Sequence, residues 1–440
     1  MPSNTSKTIP MQHPDRNVPP RIERFFDIDP GRTERLELPN GATLFLCGET
    51  APQDVMRLDL MVRGGRWHQQ RLLQASYTNK MLQEGTRGKS SRQIAELLDS
   101  HGAWTDFSCS LLHSYATLYT MGKYFEPMAT LLNEMMSEPS FDEEELKLQT
   151  AIGKQNLMVA QSRPAYQAKM LLTAMMFGET HPAAHYATVD DYAHLTPSVL
   201  RAFYDTYYIP QNTSVLLSGK VDQRTVDIVA GLFGTATKAG TRTALHGLHG
   251  APSPKETTFE KRSMPDASQV SLRMGLFVPG RDNEDYYKLH ILTTIFGGYF
   301  GSRLMQNIRE DKGYTYGISS NLVSYPDETV LSIASEVNSK CVDETIREVK
   351  AEMSRLREEL VGDEELAMVK NYLMGELMRS FDGQFYTADA RIFLLELGLD
   401  DSYYAKAIET LRTVTAEDLR ETARRYYDTG SLKVAIAGNV

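Results

Sequence analysis

TPSVLRAFYDTYYIPQNTSVLLSGKV, residues 196–221, returns as TAEDLRETARRYYDTGSLKVAIAGNV at residues 415–440. In one ungapped register, Thr196, Leu200, Arg201, Tyr207, Tyr208, Val215, Gly219 and Val221 match Thr415, Leu419, Arg420, Tyr426, Tyr427, Val434, Gly438 and Val440. Both copies read as an N-capping Thr, an amphipathic helix ending in Tyr-Tyr, and a short apolar strand. Ser91-Arg92 and Gly102 recur in the same way as Ser302-Arg303 and Gly313, each a helix with Gly past its end. A period of more than 200 residues is far too long for a solenoid repeat, so the pattern is a duplicated domain.

Each copy opens with strand patterning. Met56, Leu58, Leu60 and Val62 alternate with Arg57 and Asp59, which predicts one buried and one open face; Val270, Leu272, Met274, Leu276 and Val278 repeat the pattern. Helices follow. Ser90 to Gln93 reads as a capping box, and Asp142 to Glu145 caps a long helix running towards Arg163-Pro164. The expected fold is therefore α+β: two duplicated domains, each an antiparallel sheet covered by helices. The boundaries fall at residues 1–33 (a loose Pro-, Ser-, Asn- and Arg-rich extension), 34–236, a Gly/Pro-rich linker at 237–257, and 258–440.

Composition narrows the function. With 440 residues the chain exceeds a single core. The formal net charge is −10, which argues against nucleic acid or an anionic membrane as partner, because both reward clustered Lys and Arg. No apolar run approaches the roughly 18–20 residues of a bilayer-spanning helix. The three cysteines, Cys47, Cys109 and Cys341, are too few and too scattered for a disulfide framework or a cysteine zinc site, so a cytoplasmic location is expected.

Catalytic motifs are mostly absent. None of the ten histidines falls in H-E-x-x-H or H-x-x-E-H. Pro182 interrupts the His181/His185 pair, and His246 and His249 read as solvated linker positions. Gly297-Gly298 lacks the phosphate-loop pattern and reads as a tight helix–helix joint. Three local features stand out. Ser76, Asn79 and Lys80 share one face of a helix. Gln149 and Asn156 share a face of the long helix after Phe141. Arg309 ends a helix, and Tyr316 opens the strand after Gly313.

These residues carry a family resemblance. From about Arg35 to Val440 the chain resembles the insulinase/pitrilysin metallopeptidases, in particular the compact bacterial type similar to mitochondrial processing peptidase subunits. The family's second-domain signature is present in full as Gly297-Gly298, Ser302-Arg303-Leu304, Ile308-Arg309-Glu310, Gly313 and Tyr316. Its first-domain zinc signature survives only as a shell: Ala75, Met81 and Gly85-Thr86 are in register, but Ser76 and Lys80 replace the two histidines and Asn79 the catalytic glutamate. The third-ligand glutamate falls at Asn156, or at Gln155 if the register slips, and a supporting glutamate at Gln149.

The resemblance implies the zinc-less subunit of a heterodimeric peptidase. No cofactor is expected in this chain, and zinc is expected in a homologous partner subunit. Arg309 and Tyr316 would then stabilise, in trans, the tetrahedral intermediate of peptide hydrolysis. The substrate peptide would add as a strand along Ala103, Trp104, Thr105 and Asp106. The chain alone is expected to be inactive. The alternative is a non-catalytic peptide-binding or assembly protein of the same fold, and a third reading is a self-sufficient hydrolase with Lys80 as base.

Overall fold

The computed structural model describes residues 33–47, 53–235, 240–383 and 385–440. The N-terminal extension read over residues 1–33 thus lies, save Thr33, outside the described residues, as do linker positions 237–239.

The first sheet is built from β1 (Thr33–Glu37), β2 (Thr43–Cys47), β3 (Val55–Arg63), β4 (Trp104–Cys109), β5 (His113–Met121) and β6 (Thr213–Gly219), in the spatial order β1-β2-β6-β3-β5-β4. The second contains β7 (Phe259–Ser263), β8 (Val270–Val278), β9 (Thr315–Ser324), β10 (Thr329–Val337) and β11 (Lys433–Gly438), in the order β7-β11-β8-β10-β9. Helices cover both sheets. β6 and β11, the strands of the repeated stretch, hold the same place in each half: antiparallel to β3 or β8 on one side, and parallel to β2 or β7 on the other. The remaining ladders are antiparallel. β4 and β9 are outer edges, each bonded to a single neighbour.

The helix ends behave as their sequences require. Ser90 and Gln93 form the reciprocal capping box, and Asp142 accepts from the amides of Glu144 and Glu145. Thr196 and Thr415 cap the two repeated helices, Pro197–Tyr207 and Ala416–Tyr426.

The halves exchange helices, which the duplication does not announce. Pro164–Phe177, from the first half, packs Leu172, Met176 and Phe177 on Val330 and Ala435 of the second sheet. There Gly275 of β8 is needed: a Cβ at that position would stand 2.3 Å from Met176 Sδ. Reciprocally, Tyr386–Leu397 lays Ala388, Ile392 and Leu395 over Phe45, Cys47, Met61 and Leu216 of the first sheet. Each Leu, Ile, Met, Val or Phe among these, when fully buried, stabilises by about 1.5–3 kcal/mol, so the exchanged helices bind the halves firmly.

This covering corrects the expected open face of β3. Arg57 and Asp59 are buried as well, because Tyr386–Leu397 brings Asp389 over that face. Arg57 Nε lies 2.9 Å from Asp59 Oδ2, and its Nη1 lies 2.6 Å from Asp389 Oδ1. At Gly297 the tight joint takes in a strand as well as the next helix, since a Cβ there would meet Ser320 of β9 at 2.7 Å and Leu304 Cδ1 at 3.0 Å. Nor is His249 solvated: it is half-buried, with Nε2 donating to the Trp67 carbonyl at 2.8 Å.

Candidate functional site

The helix Gln74–Met81 carries Ser76, Asn79 and Lys80, and its inner face is polar. Gln74 Nε2 donates to the Val199 carbonyl at 3.0 Å, and Thr78 Oγ1 to that of Leu200 at 3.4 Å, tying this helix to the first repeated one. Asn79 is 1% exposed and turned to the sheet. Its Nδ2 donates to the carbonyls of Ser108 in β4 (2.8 Å) and Tyr115 in β5 (3.0 Å), and its Oδ1 accepts from the Tyr208 hydroxyl at 3.0 Å. The amide is spent on structure.

Its two companions do not replace a metal ligand. Ser76 Oγ donates back to the Leu73 carbonyl at 3.1 Å, and Lys80 Nζ stands 5.8 Å from the Tyr77 ring. Gln149 Nε2 donates to Glu84 Oε1 at 2.9 Å, while Asn156 is exposed. Burial raises the Glu84 carboxyl above its ordinary value. A zinc ion needs three anionic or imidazole donors plus a water. A hydroxyl, a backbone-bonded amide and an ammonium do not fit it. Among the described residues no three His, Cys, Asp or Glu side chains cluster in a way that could hold a metal.

The second-domain signature is organised differently. Arg303 is anchored bidentately to Glu365, at 2.9 and 2.8 Å, fixing the start of the segment that reaches Arg309. Arg309 lies in the last turn of the π-helical segment Met305–Asp311, with its guanidinium 4.6 Å from the Phe300 ring and Nη1 3.3 Å from Glu310 Oε1. Gly313, at φ +65°, closes the turn, and the Tyr314 amide donates to the Ile308 carbonyl at 3.0 Å. This return brings the start of β9 beside the Arg309 turn.

Tyr316 is 90% exposed, and a β-bulge explains why. Thr315 pairs with Val337 and Ile318 with Ser335, so Tyr316 and Gly317 together oppose Glu336 alone. Thr315 Oγ1 donates to the Glu336 carbonyl at 2.7 Å and accepts from the Gly317 amide at 3.1 Å; Ser335 Oγ donates to the Gly317 carbonyl at 2.9 Å. The bulge is thereby pinned and Tyr316 turned outward. No hydrogen bond joins Arg309 to Tyr316. Phe300, Thr315 and Ser335 escape a sequence reading, although Thr315 lies between the signature residues Gly313 and Tyr316.

β4 presents its free edge with Trp104, Asp106 and Ser108 exposed and Thr105 half-buried; Ala103, just before it, is buried. Trp104 lies flat on Tyr119, with centroids 4.5 Å apart and planes at 5°, and the Arg57 guanidinium lies 5.5 Å from the Tyr119 ring. Tyr119 and Arg57 are platform residues that sequence alone did not single out. The edge and the Asn79 helix are physically joined through the Ser108 carbonyl. The Arg309/Tyr316 pair lies in the other half of the chain.

Comparison with known proteins identifies the family and the fold. Residues 46–188 match the family model described as "Insulinase (Peptidase family M16)", and residues 194–373 match the "Peptidase M16 inactive domain". The chain is similar to the uncharacterized zinc protease YmxG of Bacillus subtilis, 24% identical over 308 residues, covering 70% of this chain and 74% of the relative. An uncharacterized zinc protease of Mycobacterium leprae is 23% identical over 373 residues, covering 80% and 79%. Among solved structures, a peptidase M16 inactive domain from Pseudomonas fluorescens superposes with a TM-score of 0.83 at 22% identity, over 93% of this chain and 98% of that one. The periplasmic protease PqqL of Escherichia coli gives 0.74 at 15% identity, over 93% of this chain but 48% of its own.

Proposed function

Since this chain belongs to the insulinase family of peptidases (family M16), we propose that it is the zinc-free half of a two-chain zinc peptidase. One observation carries the reading: the Asn79 side chain is consumed by backbone carbonyls where a catalytic carboxylate would stand, while Tyr316 is held outward on a pinned bulge beside Arg309. The partner is a homologous subunit with an intact inverted zinc motif. That PqqL spans about two lengths of this chain supports a complete unit built from two such halves.

In the assembled enzyme a peptide lies as an added strand on a sheet edge, its scissile carbonyl at the partner's metal. The Tyr316 hydroxyl and the Arg309 guanidinium reach across the interface. They donate hydrogen bonds to the oxyanion that develops on that carbonyl, where such donors lower the barrier most. In this chain the β4 edge, from Ala103 through Asp106, takes up extended peptide, with Trp104 on Tyr119 as a flat apolar seat. That seat needs no chemistry, and it is the observation that favours the second reading, a non-catalytic peptide-binding or assembly protein.

Co-expression with the H-x-x-E-H homologue tests the two-chain reading. The complex hydrolyses peptides in a zinc-dependent way, whereas this chain alone does not. Arg309→Ala and Tyr316→Phe each lower turnover. Unchanged turnover in both variants refutes the trans role, and a peptide-binding chain that never captures a zinc subunit favours the second reading. Among the described residues no helix is long and apolar enough to cross a membrane. We place the complex in the cytoplasm on the strength of the three free thiols, and cell fractionation decides it.

A further inference from the structure

A cleft of about 870 Å³ opens between the halves, bounded by the 66–72 loop ahead of the Asn79 helix, the exchanged helix Pro164–Phe177 with the turn after it, the 249–253 segment, and the end of β9. Three cations line it: Arg66, Arg71 and Lys169. In a chain of net charge −10, no Asp or Glu lines this cleft among the described residues. Two neighbouring carboxylates are already engaged, and a third, Glu328, stands in the adjoining cavity that Trp67 also lines. Glu179 lies 3.0 Å from Lys255 Nζ, and Asp327 accepts from the Gly247 amide at 3.1 Å with His246 at 3.4 Å. Partial desolvation, then the charges of Arg66 and Arg273, push the Lys169 ammonium below its ordinary value; an anion would relieve this crowding.

A second observation points the same way. Trp67, 4% exposed, lines the cleft, and its indole Nε1–H is buried without an acceptor in the protein. A buried orphan donor is costly, and a ligand oxygen would satisfy it. His181 and His249 pack edge-on against the same indole, at 5.6 and 5.3 Å, and hold it in place.

We propose that this cleft binds the carboxylates of an acidic stretch of the peptide substrate, through Arg66, Arg71, Lys169 and the Trp67 indole N–H. The proposal rests on the peptidase reading above and names its substrate class. A peptide fits the layout, because Ser324 at the cleft lies on the same strand as Tyr316, about eight residues or roughly 26 Å away in extended chain. The acidic stretch is held at that remove from the bond being cut.

Fluorescence anisotropy with the full chain alone supplies the test, using a labelled Glu/Phe-rich peptide, its Lys/Phe counterpart and an oligodeoxythymidine of equal length. The acidic peptide binds, and binding weakens with added salt. Arg71→Ala and Lys169→Ala each weaken it about tenfold, the expected loss of one charge-assisted hydrogen bond. Arg71→Lys and Lys169→Arg retain most of it, and both positions are exposed, so the fold survives. Equal binding of the acidic and basic peptides, tighter binding of the oligonucleotide, or alanine variants that bind like the parent overturn the proposal. The readout is independent of Arg309, Tyr316 and the partner. Acidic-peptide binding without any turnover in the complex leaves the cleft standing and removes the two-chain reading. Turnover without charge preference does the reverse.

Discussion

The Tyr208 hydroxyl donates to Asn79 Oδ1 at 3.0 Å, leaving the Asn79 amide group to bridge the carbonyls of β4 and β5. Tyr208 closes the first repeated helix, so one hydrogen bond couples the repeat to the helix of the degenerate zinc motif and, through it, to the edge strand. An acid at position 79 would set an acceptor against two carbonyl acceptors in a buried site. Asn79→Asp is therefore expected to cost about 3 kcal/mol or more, as a buried carboxylate with the Tyr208 hydroxyl as its one donor and one oxygen against two carbonyls does. Urea unfolding measures it. Restoring only the H-x-x-E-H positions with Ser76→His, Asn79→Glu and Lys80→His is expected to destabilise the chain without creating a zinc site, since Asn156 supplies no third anionic ligand.

Zinc itself offers a check on the parent chain. A ligand that binds only the folded state at about a hundred times its Kd adds about 2.7 kcal/mol of stability. With its amide and hydroxyl already bonded and an ammonium beside them, the site is expected to give no such gain. The Tm measured with and without excess zinc should coincide, and a clear rise would contradict the donor chemistry.

Tyr316 separates catalysis from stability. It is 90% exposed, so Tyr316→Phe is expected to change stability by less than about 0.5 kcal/mol. In the assembled complex, removal of one oxyanion donor is expected to lower kcat by about a hundredfold or more. Ser335→Ala is its counterpart. That serine touches no substrate but pins the bulge through the Gly317 carbonyl, so it acts as a positioning residue. It is expected to lose about 1 kcal/mol of stability and to reduce kcat with little effect on KM.

The duplication and the helix caps could be read from the sequence, because each is written in local periodicity or in a capping side chain; the edge strand after Gly102 came only from the family resemblance. Pro164–Phe177 and Tyr386–Leu397 could not be placed, since an apolar helix declares that it is covered but not by which sheet. Arg57 and Asp59 looked like the wet side of β3 because alternation is blind to a distant helix that brings a carboxylate. Spacing put Asn79 on one helix face with Ser76 and Lys80 but did not say what that face meets. Whether a polar side chain faces water or two backbone carbonyls depends on β4 and β5, which sequence spacing does not contain. The bulge at Tyr316 leaves no local mark beyond an adjacent glycine.

The exchanged helix Tyr386–Leu397 is fastened to the first sheet by Glu396, and that fastening is sensitive to acid. Glu396 accepts from Ser110 Oγ at 2.6 Å and from the Tyr115 hydroxyl, and its Oε2 lies 2.7 Å from His113 Nδ1. Burial alone would raise its carboxyl, but the contacts with His113, Ser110 and Tyr115 outweigh burial and hold it below the ordinary carboxylate range. His113 is pushed below the ordinary histidine value by burial, against the pull of Glu396. Both signs lead the same way. The unfolded chain takes up a proton at His113 below about pH 6.5 while the folded chain resists, so stability starts to fall there. The contribution of Glu396 is complete above about pH 4.3 and is lost as pH drops through its lower folded value. Hydrogen exchange in the helix amides, followed from pH 8 down to pH 4, should therefore show Tyr386–Leu397 losing protection ahead of the strands it covers. Glu396→Gln cannot carry the lower part of this response, so its stability should change less than the parent's below about pH 4.3. An acid limb of the same depth in that variant would mean that other carboxylates hold the helix.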